Sequence, residues 1–201
     1  VSSGTAALHC ALSTLNVSKN DEIILPAFGW SSDLMAILAT KFTPVFCPID
    51  QKLGLDPKKL NKHINKKTKA VIAIHMRGYV CDISNIKKIC KNRKVFLIED
   101  CSQCLGGSYN QKPIGSFGDM SIFSFQFNKL ITAGEGGLIA TNNKKLFEEI
   151  NEFHDLGMGR VLNDPDPIGN VHKKFGLNYH ASDLIGAFLL GQLESLEKIL
   201  F

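Results

Sequence analysis

The stretch "KVFLIED", residues 94–100, is an almost wholly apolar run that ends in two acids. A second apolar run, "KAVIAIH" at residues 69–75, lies upstream, and "DISNIKKICKN" at residues 82–92 reads as a helix between them. Near-continuous apolar strands are typical of parallel sheets that are covered on both faces. Together the three stretches predict a strand–helix–strand unit inside an α/β domain.

Strand and helix patterns also alternate upstream of this unit, with no internal repeat. Ser31 or Ser32 is expected to cap one helix, and Asp56 with Pro57 to begin another. The predicted upstream elements are a helix at 3–15, a strand at 21–26, a helix at 31–40, a strand at 43–50 and a helix at 56–64.

The regular alternation of strand and helix patterns ends at Asp100, and glycine and proline become frequent downstream of it. The last helix is expected to be amphipathic and to begin near Ser182 or Asp183. The predicted downstream elements are a turn-rich excursion at 106–115, strands at 119–125 and 136–142, a helix at 144–154, a loop at 158–170 and a long helix at 181–200. The whole pattern predicts a three-layer α/β/α fold with a mostly parallel sheet.

The composition excludes several classes of protein. The 201 residues are 44% hydrophobic and 21% charged, with a net charge of only +4, as in an ordinary globular domain. The densest basic run, at 58–69, has no aromatic residues and fits a solvated helix face, which argues against nucleic-acid binding. No apolar run has membrane-spanning length, and no signal peptide is visible.

Six scattered cysteines give no sign of a secreted disulfide framework. Free thiols in a reducing compartment are expected, which predicts a cytoplasmic protein. Cys101 and Cys104 form the one CxxC pair, and no second pair is present to complete a zinc site. We therefore expect no metal centre.

Ligands of open α/β sheets bind outside the carboxyl ends of the strands, near helix N-termini. Gly4, Thr5 and Ala6 open the first predicted helix, where small residues let a phosphate approach free backbone N–H groups. The alternative is a plain helix start with Ser3 as its N-cap. Asp100 ends a strand, and there it either caps the next turn or holds a protonated ring nitrogen, with Gln103 nearby.

Lys129 lies between a strand-like run and the small-residue segment "AGEGG" at 133–137. A lysine desolvated in a ligand pocket has a lowered pKa and becomes a usable nucleophile toward aldehydes, whereas a snorkelling surface lysine is the plainer reading. Ser124 and Asn128 supply polar groups nearby. Trp30, the only tryptophan, follows a strand-to-helix turn, where it either covers a flat ligand or packs in the core.

A phosphate site, an aromatic surface, an acid for a ring nitrogen and an amine for an aldehyde are together the requirements of pyridoxal phosphate. A nicotinamide-binding domain is disfavoured, because no GxGxxG follows the first strand. His75 and His154 are expected to be structural rather than pocket residues.

The chain resembles the DegT/DnrJ/StrS sugar aminotransferases, which are fold type I enzymes dependent on pyridoxal phosphate. The most specific segment is the run around Lys129 that continues into "GEGG". The matching segments are "SSGTAALHCAL" (2–12), "DEIILPAFGW" (21–30), "IEDCSQCLGGSY" (98–109), "GSFGDMSIFSF" (115–125), "NKLITAGEGGLIATN" (128–142) and "GLNYHASDLIGAFLLGQLESL" (176–196).

The resemblance implies a role for each candidate residue. Lys129 would be the covalent attachment point and proton carrier, Asp100 would pair with the ring nitrogen, and Gln103 would lie by the ring hydroxyl. Trp30 would stack on the ring. The phosphate would be held by Thr5, Ala6 and Ser124, and by Asn178 reaching from the other subunit of a homodimer with shared active sites. The implied reaction moves an amino group, usually from glutamate, to a keto-sugar, either nucleotide-linked or a sugar acid, in surface-polysaccharide or amino-sugar biosynthesis.

Two departures from the family pattern are visible. His180 replaces an arginine that many relatives carry, and the resemblance covers residues 1–201 as a large domain without the family's N-terminal segment and C-terminal small domain. Alternatives are therefore a cofactor-binding relative without turnover and a related sugar dehydratase. In the dehydratase branch histidine replaces the lysine, so Lys129 argues against it. The segment "HMRGYVCD", at 75–82, is expected to mark a substrate subgroup.

Overall fold

The computed structural model describes residues 1–159 and 174–200. A six-stranded sheet in the order β2-β1-β3-β4-β7-β8 is its centre, and a two-stranded hairpin of β5 and β6 lies beside it. The strands are β1 (Glu22–Pro26), β2 (Thr43–Cys47), β3 (Thr68–Ile74), β4 (Phe96–Asp100), β5 (Ser108–Tyr109), β6 (Lys112–Pro113), β7 (Met120–Ser124) and β8 (Gly137–Ala140). All neighbours in the large sheet pair in parallel, except that β8 runs antiparallel to β7.

Helices cover both faces of the sheet, which confirms the predicted three-layer fold. The helices are α1 (Gly4–Ser13), α2 (Ser31–Ala39), α3 (Pro57–His63), α4 (Ile83–Arg93), α5 (Lys144–His154), α6 (Asp183–Leu193) and α7 (Leu196–Leu200). Buried side chains of α1, α2 and α5 form one apolar core against the sheet. Those of α3 and α4 form the other. The central strands β3 and β4 are buried along almost their whole length, as the apolar runs predicted.

Most predicted helix starts are confirmed, and one is wrong. The Asp56 side chain accepts a hydrogen bond from the Lys58 N–H ahead of Pro57, and Ser182 caps α6 through the Ile185 N–H. In α2, however, neither Ser31 nor Ser32 is the cap, because Trp30 occupies that position without a side-chain hydrogen bond.

The predicted long amphipathic helix at 181–200 is also wrong in two respects. It is divided into α6 and α7 at Glu194 and Ser195, and none of the α6 residues is buried. Apolar residues occupy most positions of α6, so no polar face opposes an apolar one.

Three smaller expectations have mixed outcomes. The basic run at 58–69 is a helix face only as far as His63, and it continues into a turn and the start of β3. The turn-rich excursion contains the β5–β6 hairpin, with Asn110 and Gln111 both in left-handed conformation. The predicted loop at 158–170 lies outside the described residues from 160 onward.

Candidate active site

A cleft of about 820 Å³ opens at the carboxyl edge of the sheet. Strands β1, β3, β4 and β7 are parallel, so the segments that follow them meet at this edge. Six of the eight predicted site residues line the cleft: Thr5, Trp30, Asp100, Gln103, Ser124 and Lys129. The other two, Ala6 and Asn178, do not line it.

Lys129 lies on a closed loop between β7 and β8. The N–H of Phe125 donates to the Gly136 carbonyl at 2.9 Å, and the Ala133 N–H donates back to the Phe125 carbonyl at 3.0 Å. The half-buried lysine itself donates its backbone N–H to Gln126 at 2.9 Å. Backbone hydrogen bonds therefore hold the loop's conformation, and the lysine side chain projects from a fixed base.

Helix α6 holds the same loop from the other side. The Gln192 side chain accepts a hydrogen bond from the Thr132 N–H at 2.8 Å and donates its amide to the Thr132 carbonyl at 2.6 Å. The family-like segment that contains α6 thus positions the lysine loop without lining the cleft.

Two glycines bring the start of α1 against the lysine loop and β7. A Cβ on Gly137 would lie 2.2 Å from the carbonyl oxygen of Ser3, and a Cβ on Gly4 would lie 2.8 Å from the Cβ of Ser124. Val1 and Gly137 also exchange two backbone hydrogen bonds of 2.9 Å. Close backbone packing therefore explains Gly137 in this loop, whereas Gly134 and Gly136 have positive φ angles of 79° and 151°.

The first turn of α1 lines this part of the cleft with Ser3, Gly4 and Thr5. Ser3 is the N-cap, and its hydroxyl accepts a hydrogen bond from the Ala6 N–H at 3.1 Å. Ala6 is buried, while Thr5 is exposed on the cleft wall. The prediction that Ser3 is the N-cap of α1 is therefore confirmed, with the Ala6 N–H as the donor. This cap leaves the hydroxyl of Thr5 and the positive end of the helix facing the cleft.

Asp100 is buried at the end of β4 and lines the cleft floor. One of its carboxylate oxygens accepts a hydrogen bond from the Ser102 N–H at 2.8 Å, so it does cap the next turn. A carboxylate can accept about four hydrogen bonds, and Asp100 therefore keeps acceptor capacity toward the cleft. Gln103 lies beside it, and its carbonyl accepts the Gly78 N–H at 3.0 Å.

A buried pair formed by His75 and Glu99 is hydrogen-bonded to the backbone of Asp100. The His75 N–H of the backbone donates to the Asp100 carbonyl at 3.0 Å, and His75 Nε2 lies 3.2 Å from Glu99 Oε2. Burial alone would raise the pKa of Glu99. The hydrogen bonds from His75 and from the backbone N–H groups of Gly115, Phe117 and Gly118 instead lower it below its ordinary value. His75 is structural, as predicted.

The same pair forms a compact group with Cys101, since the potential ligand atoms of His75, Glu99 and Cys101 lie within 4.8 Å of one another. All three residues are buried, and Glu99 already accepts hydrogen bonds on both oxygens. Burial raises the pKa of the Cys101 thiol, which disfavours the thiolate that metal binding or redox chemistry needs. The arrangement is that of a structural network.

Trp30 is 68% exposed and lines the cleft at the start of α2. The core-packing alternative for this side chain is therefore wrong. Arg77 faces the same cleft from the 3₁₀ turn at Met76–Gly78, in a left-handed conformation with φ of 49°. Within residues 1–159 and 174–200, no salt bridge to its guanidinium is found.

Asp33 is a site-adjacent residue that sequence reasoning missed. It lies in the first turn of α2, has no exposed surface, and lies beside Asp100 and near Lys129. Burial, and then the neighbouring Asp100 carboxylate, raises the pKa of Asp33 well above its ordinary range. The available signal was a carboxylate among the otherwise apolar inward positions of a helix.

Asn178 lies away from the cleft and is exposed. Its backbone forms an isolated bridge with Asp155, and its side-chain oxygen accepts the His180 N–H at 3.3 Å. His180 Nε2 lies 2.7 Å from an Asp155 carboxylate oxygen. The His154 Nδ1–H donates a hydrogen bond to the Asn151 carbonyl at 2.8 Å, so it has the structural role that was predicted.

The model of the DegT/DnrJ/EryC1/StrS aminotransferase family matches residues 1–201. This chain belongs to that family. It is 36% identical over 206 residues to the GDP-perosamine synthase of Escherichia coli O157:H7, a match that covers 100% of this chain and 54% of that protein. The chain thus spans about half the length of the curated relatives that it matches.

Solved aminotransferase structures share the fold. PseC of Helicobacter pylori, an aminotransferase involved in the biosynthesis of pseudoaminic acid, superposes with a TM-score of 0.91 at 29% identity, covering 98% of this chain and 53% of PseC. NtdA of Bacillus subtilis, solved with bound cofactor PMP, gives 0.87 at 30% identity and covers 98% of this chain and 44% of NtdA. The cofactor of the family is pyridoxal phosphate, of which PMP is the amino form.

The cleft of this family member fits pyridoxal phosphate by its own chemistry. It offers an amine, a buried carboxylate with spare acceptor capacity, and two hydroxyl groups beside a helix N-terminus. The close approach of Gly4 to Ser124 forms a cradle that a Cβ would fill. In the described ranges no helix combines the length and apolar character that a membrane span requires.

Proposed function

We propose that this chain supplies the cofactor site of a pyridoxal-phosphate aminotransferase that moves an amino group from glutamate to a keto-sugar. The observation that carries the proposal is the meeting of Lys129, Asp100 and the N-terminus of α1 in one cleft. These three groups come from different parts of the chain, and the fold brings them together.

Pyridoxal phosphate, when bound, supplies a ring that withdraws electrons from the bond to be broken. Asp100 holds the proton on the ring nitrogen, which maximises that withdrawal. Lys129 is the covalent attachment point. Its free Nζ would act as the general base and acid that carries the proton between the donor carbon and the cofactor.

The remaining residues bind and orient. Thr5 and Ser124 donate their hydroxyl groups to the phosphate, which also benefits from the positive end of α1. Ala6 contributes through its backbone N–H, which must then leave the Ser3 hydroxyl. Gln103 would lie at the ring hydroxyl, and Trp30 would cover one ring face and exclude water from it.

The proposed acceptor is a keto-sugar that carries an anionic group, as a nucleotide-linked sugar or a sugar acid, for surface-polysaccharide or amino-sugar biosynthesis. Arg77 supports this assignment, because it is an exposed cation on the cleft wall and a guanidinium binds phosphate or carboxylate well. The name of the Escherichia coli relative, GDP-perosamine synthase, points to a nucleotide-linked sugar.

We also place the protein in the cytoplasm as a homodimer with shared active sites. Six free, buried cysteines fit a reducing compartment. Helix α6 presents the large apolar side chains of Leu184, Phe188, Leu190 and Leu193 to solvent, which supports a partner surface. Asn178 would then reach the phosphate in the partner's cleft, since it lies outside its own.

The test is reconstitution with pyridoxal phosphate, borohydride reduction and peptide mapping. We expect one stable phosphopyridoxyl adduct, on Lys129, and loss of it in Lys129→Ala. Lys112→Ala, in the exposed β5–β6 hairpin, is the matched control and should keep the adduct. Addition of glutamate should then convert the cofactor absorbance to that of the amine form. Absence of an adduct from folded protein, or an adduct on another lysine, would refute the proposed site.

A further inference from the structure

Asp33 is a buried carboxyl group that the proposed reaction does not use. Its side chain is 0% exposed, in the first turn of α2. Among the described residues neither of its oxygens has a hydrogen-bond partner. A charged carboxylate in this position would be unsolvated and unpaired, which proteins avoid.

The group that faces Asp33 within hydrogen-bonding reach is itself a carboxyl, that of Asp100 on β4. The other charge near it is the ammonium of Lys129, from the loop after β7. Two carboxylates side by side repel each other in a buried site, and such pairs hold one proton between them. A hydrogen bond between two carboxyl groups exists only when one of them carries that proton.

Asp33 is the better place for the proton. Asp100 already accepts the Ser102 N–H at 2.8 Å and opens onto the cleft, so a negative charge there is stabilised. Apart from its own backbone N–H, Asp33 has no hydrogen-bond donor in the described parts of the chain, and it has no access to water. The neutral carboxyl of Asp33 can therefore donate its O–H to the carboxylate of Asp100.

We propose that Asp33 is a positioning residue that stays protonated and donates a hydrogen bond to Asp100, so that Asp100 keeps a single negative charge aimed at the cleft. This rests on the proposed function, because the hydrogen-bonded carboxyl pair affects the reaction only through the negative charge that Asp100 presents to a bound ring nitrogen. Asp33 fixes the orientation of that carboxylate and moderates its basicity. It touches neither the cofactor nor the substrate.

The test uses the apo-protein labelled with ¹³C at the aspartate carboxyl groups, and NMR spectra across pH. We expect one aspartate resonance with the chemical shift of a neutral acid at pH 7, absent in Asp33→Asn and displaced in Asp100→Asn. Asp183→Asn, in the exposed first turn of α6, is the matched control and should leave that resonance unchanged. Only ionised aspartates at pH 7, or a neutral resonance that persists in Asp33→Asn, would overturn the proposal.

Cofactor affinity, followed by the fluorescence of Trp30, gives a second readout. Asp33→Asn keeps a donor for Asp100 and should bind pyridoxal phosphate within about threefold of the native protein. Asp33→Leu removes the donor and should bind at least about tenfold more weakly. Equal weakening in both variants would contradict the positioning role.

The two proposals fail separately. A neutral Asp33 in the apo-protein with no adduct on Lys129 would leave the carboxyl pair standing and refute the proposed function. An adduct on Lys129 with Asp33 ionised would do the reverse.

Discussion

At the scale of single residues, the most unusual group is Asp33, a fully buried carboxyl beside a second buried carboxyl. Its pKa is raised by burial and then by Asp100. The folded protein therefore keeps this proton at pH values where the unfolded chain has released it. By linkage, Asp33 lowers the stability of the fold progressively as pH rises from the ordinary aspartate pKa to the raised one.

Replacement of Asp33 by asparagine should remove this pH dependence. We expect the free energy of unfolding of Asp33→Asn to exceed that of the native protein increasingly as the pH rises above the ordinary aspartate pKa, with a slope of up to about 1.4 kcal/mol per pH unit. Urea unfolding at several pH values measures it. Parallel curves for the two proteins would show that Asp33 is ionised in the fold, and Asp183→Asn should run parallel to the native protein.

The candidate residues that the sequence could predict are those that follow a strand or open a helix. Asp100 and Trp30 are recognisable because the ends of parallel strands converge, whatever the details of packing. Asp33 could not be found that way, because its burial depends on how α2 lies against the sheet. A Ser3 cap and an accessible Thr5 are alternatives in the sequence, and the structure shows both, because the Ala6 N–H donates to Ser3 while Thr5 is exposed.

At the scale of elements, the contact between the start of α1 and the lysine loop holds the site together. Gly137→Ala would place a methyl group 2.2 Å from the Ser3 carbonyl, and backbone on both sides leaves no side chain to give way. We expect the free energy of unfolding to fall by more than about 2 kcal/mol, because the Val1–Gly137 hydrogen bonds must break. Cofactor affinity should fall with it.

The matched control is Gly134→Ala in the same loop. A Cβ there meets nothing within 4 Å, but φ is +79°, so the cost is conformational strain alone, about 1 kcal/mol. Urea unfolding of both variants separates the two effects. Equal losses would mean that the approach of Gly137 to Ser3 has no special role in stability.

Local sequence chemistry predicted element starts well wherever a side chain makes the cap. Asp56 and Ser182 follow that rule. Trp30 breaks it, because it occupies the N-cap position of α2 without a side-chain hydrogen bond while its exposed indole lines the cleft. No proline or glycine stands at Glu194 and Ser195, where α6 ends and α7 begins. The apolar periodicity of the sequence therefore predicted one continuous helix.

At the scale of the whole molecule, the alternation of apolar strands with helices was sufficient to predict the layers and the largely parallel sheet. The antiparallel edge strand β8 was not distinguished, because short apolar runs do not encode direction. Nor does sequence periodicity reveal which surfaces are covered in an assembly. Helix α6 shows this, since its apolar character resembles that of a core helix, yet none of its residues is buried in the described chain.

The proposed homodimer with shared active sites makes a prediction that can be tested only on the assembly. Under that proposal, Lys129→Ala would lack the attachment point in its own cleft, whereas Asn178→Ala would lack the group offered to the partner's cleft. In a mixed dimer, one cleft would combine Lys129 of one chain with Asn178 of the other and be intact. Random reassociation makes half of the dimers mixed, each with one intact site of two, so the mixture should recover roughly a quarter of the native glutamate-dependent conversion.

The control for that mixture is Lys129→Ala combined with Asp100→Asn, because both residues line the same cleft of one chain. No mixed dimer of those two variants contains an intact site, so no recovery is expected. Recovery in the first mixture and not in the second would place Asn178 in the partner's site. If the first mixture recovers no more than the sum of its parents while Asn178→Ala alone is inactive, Asn178 acts within its own chain. The apolar surface of α6 would then require a different occupant.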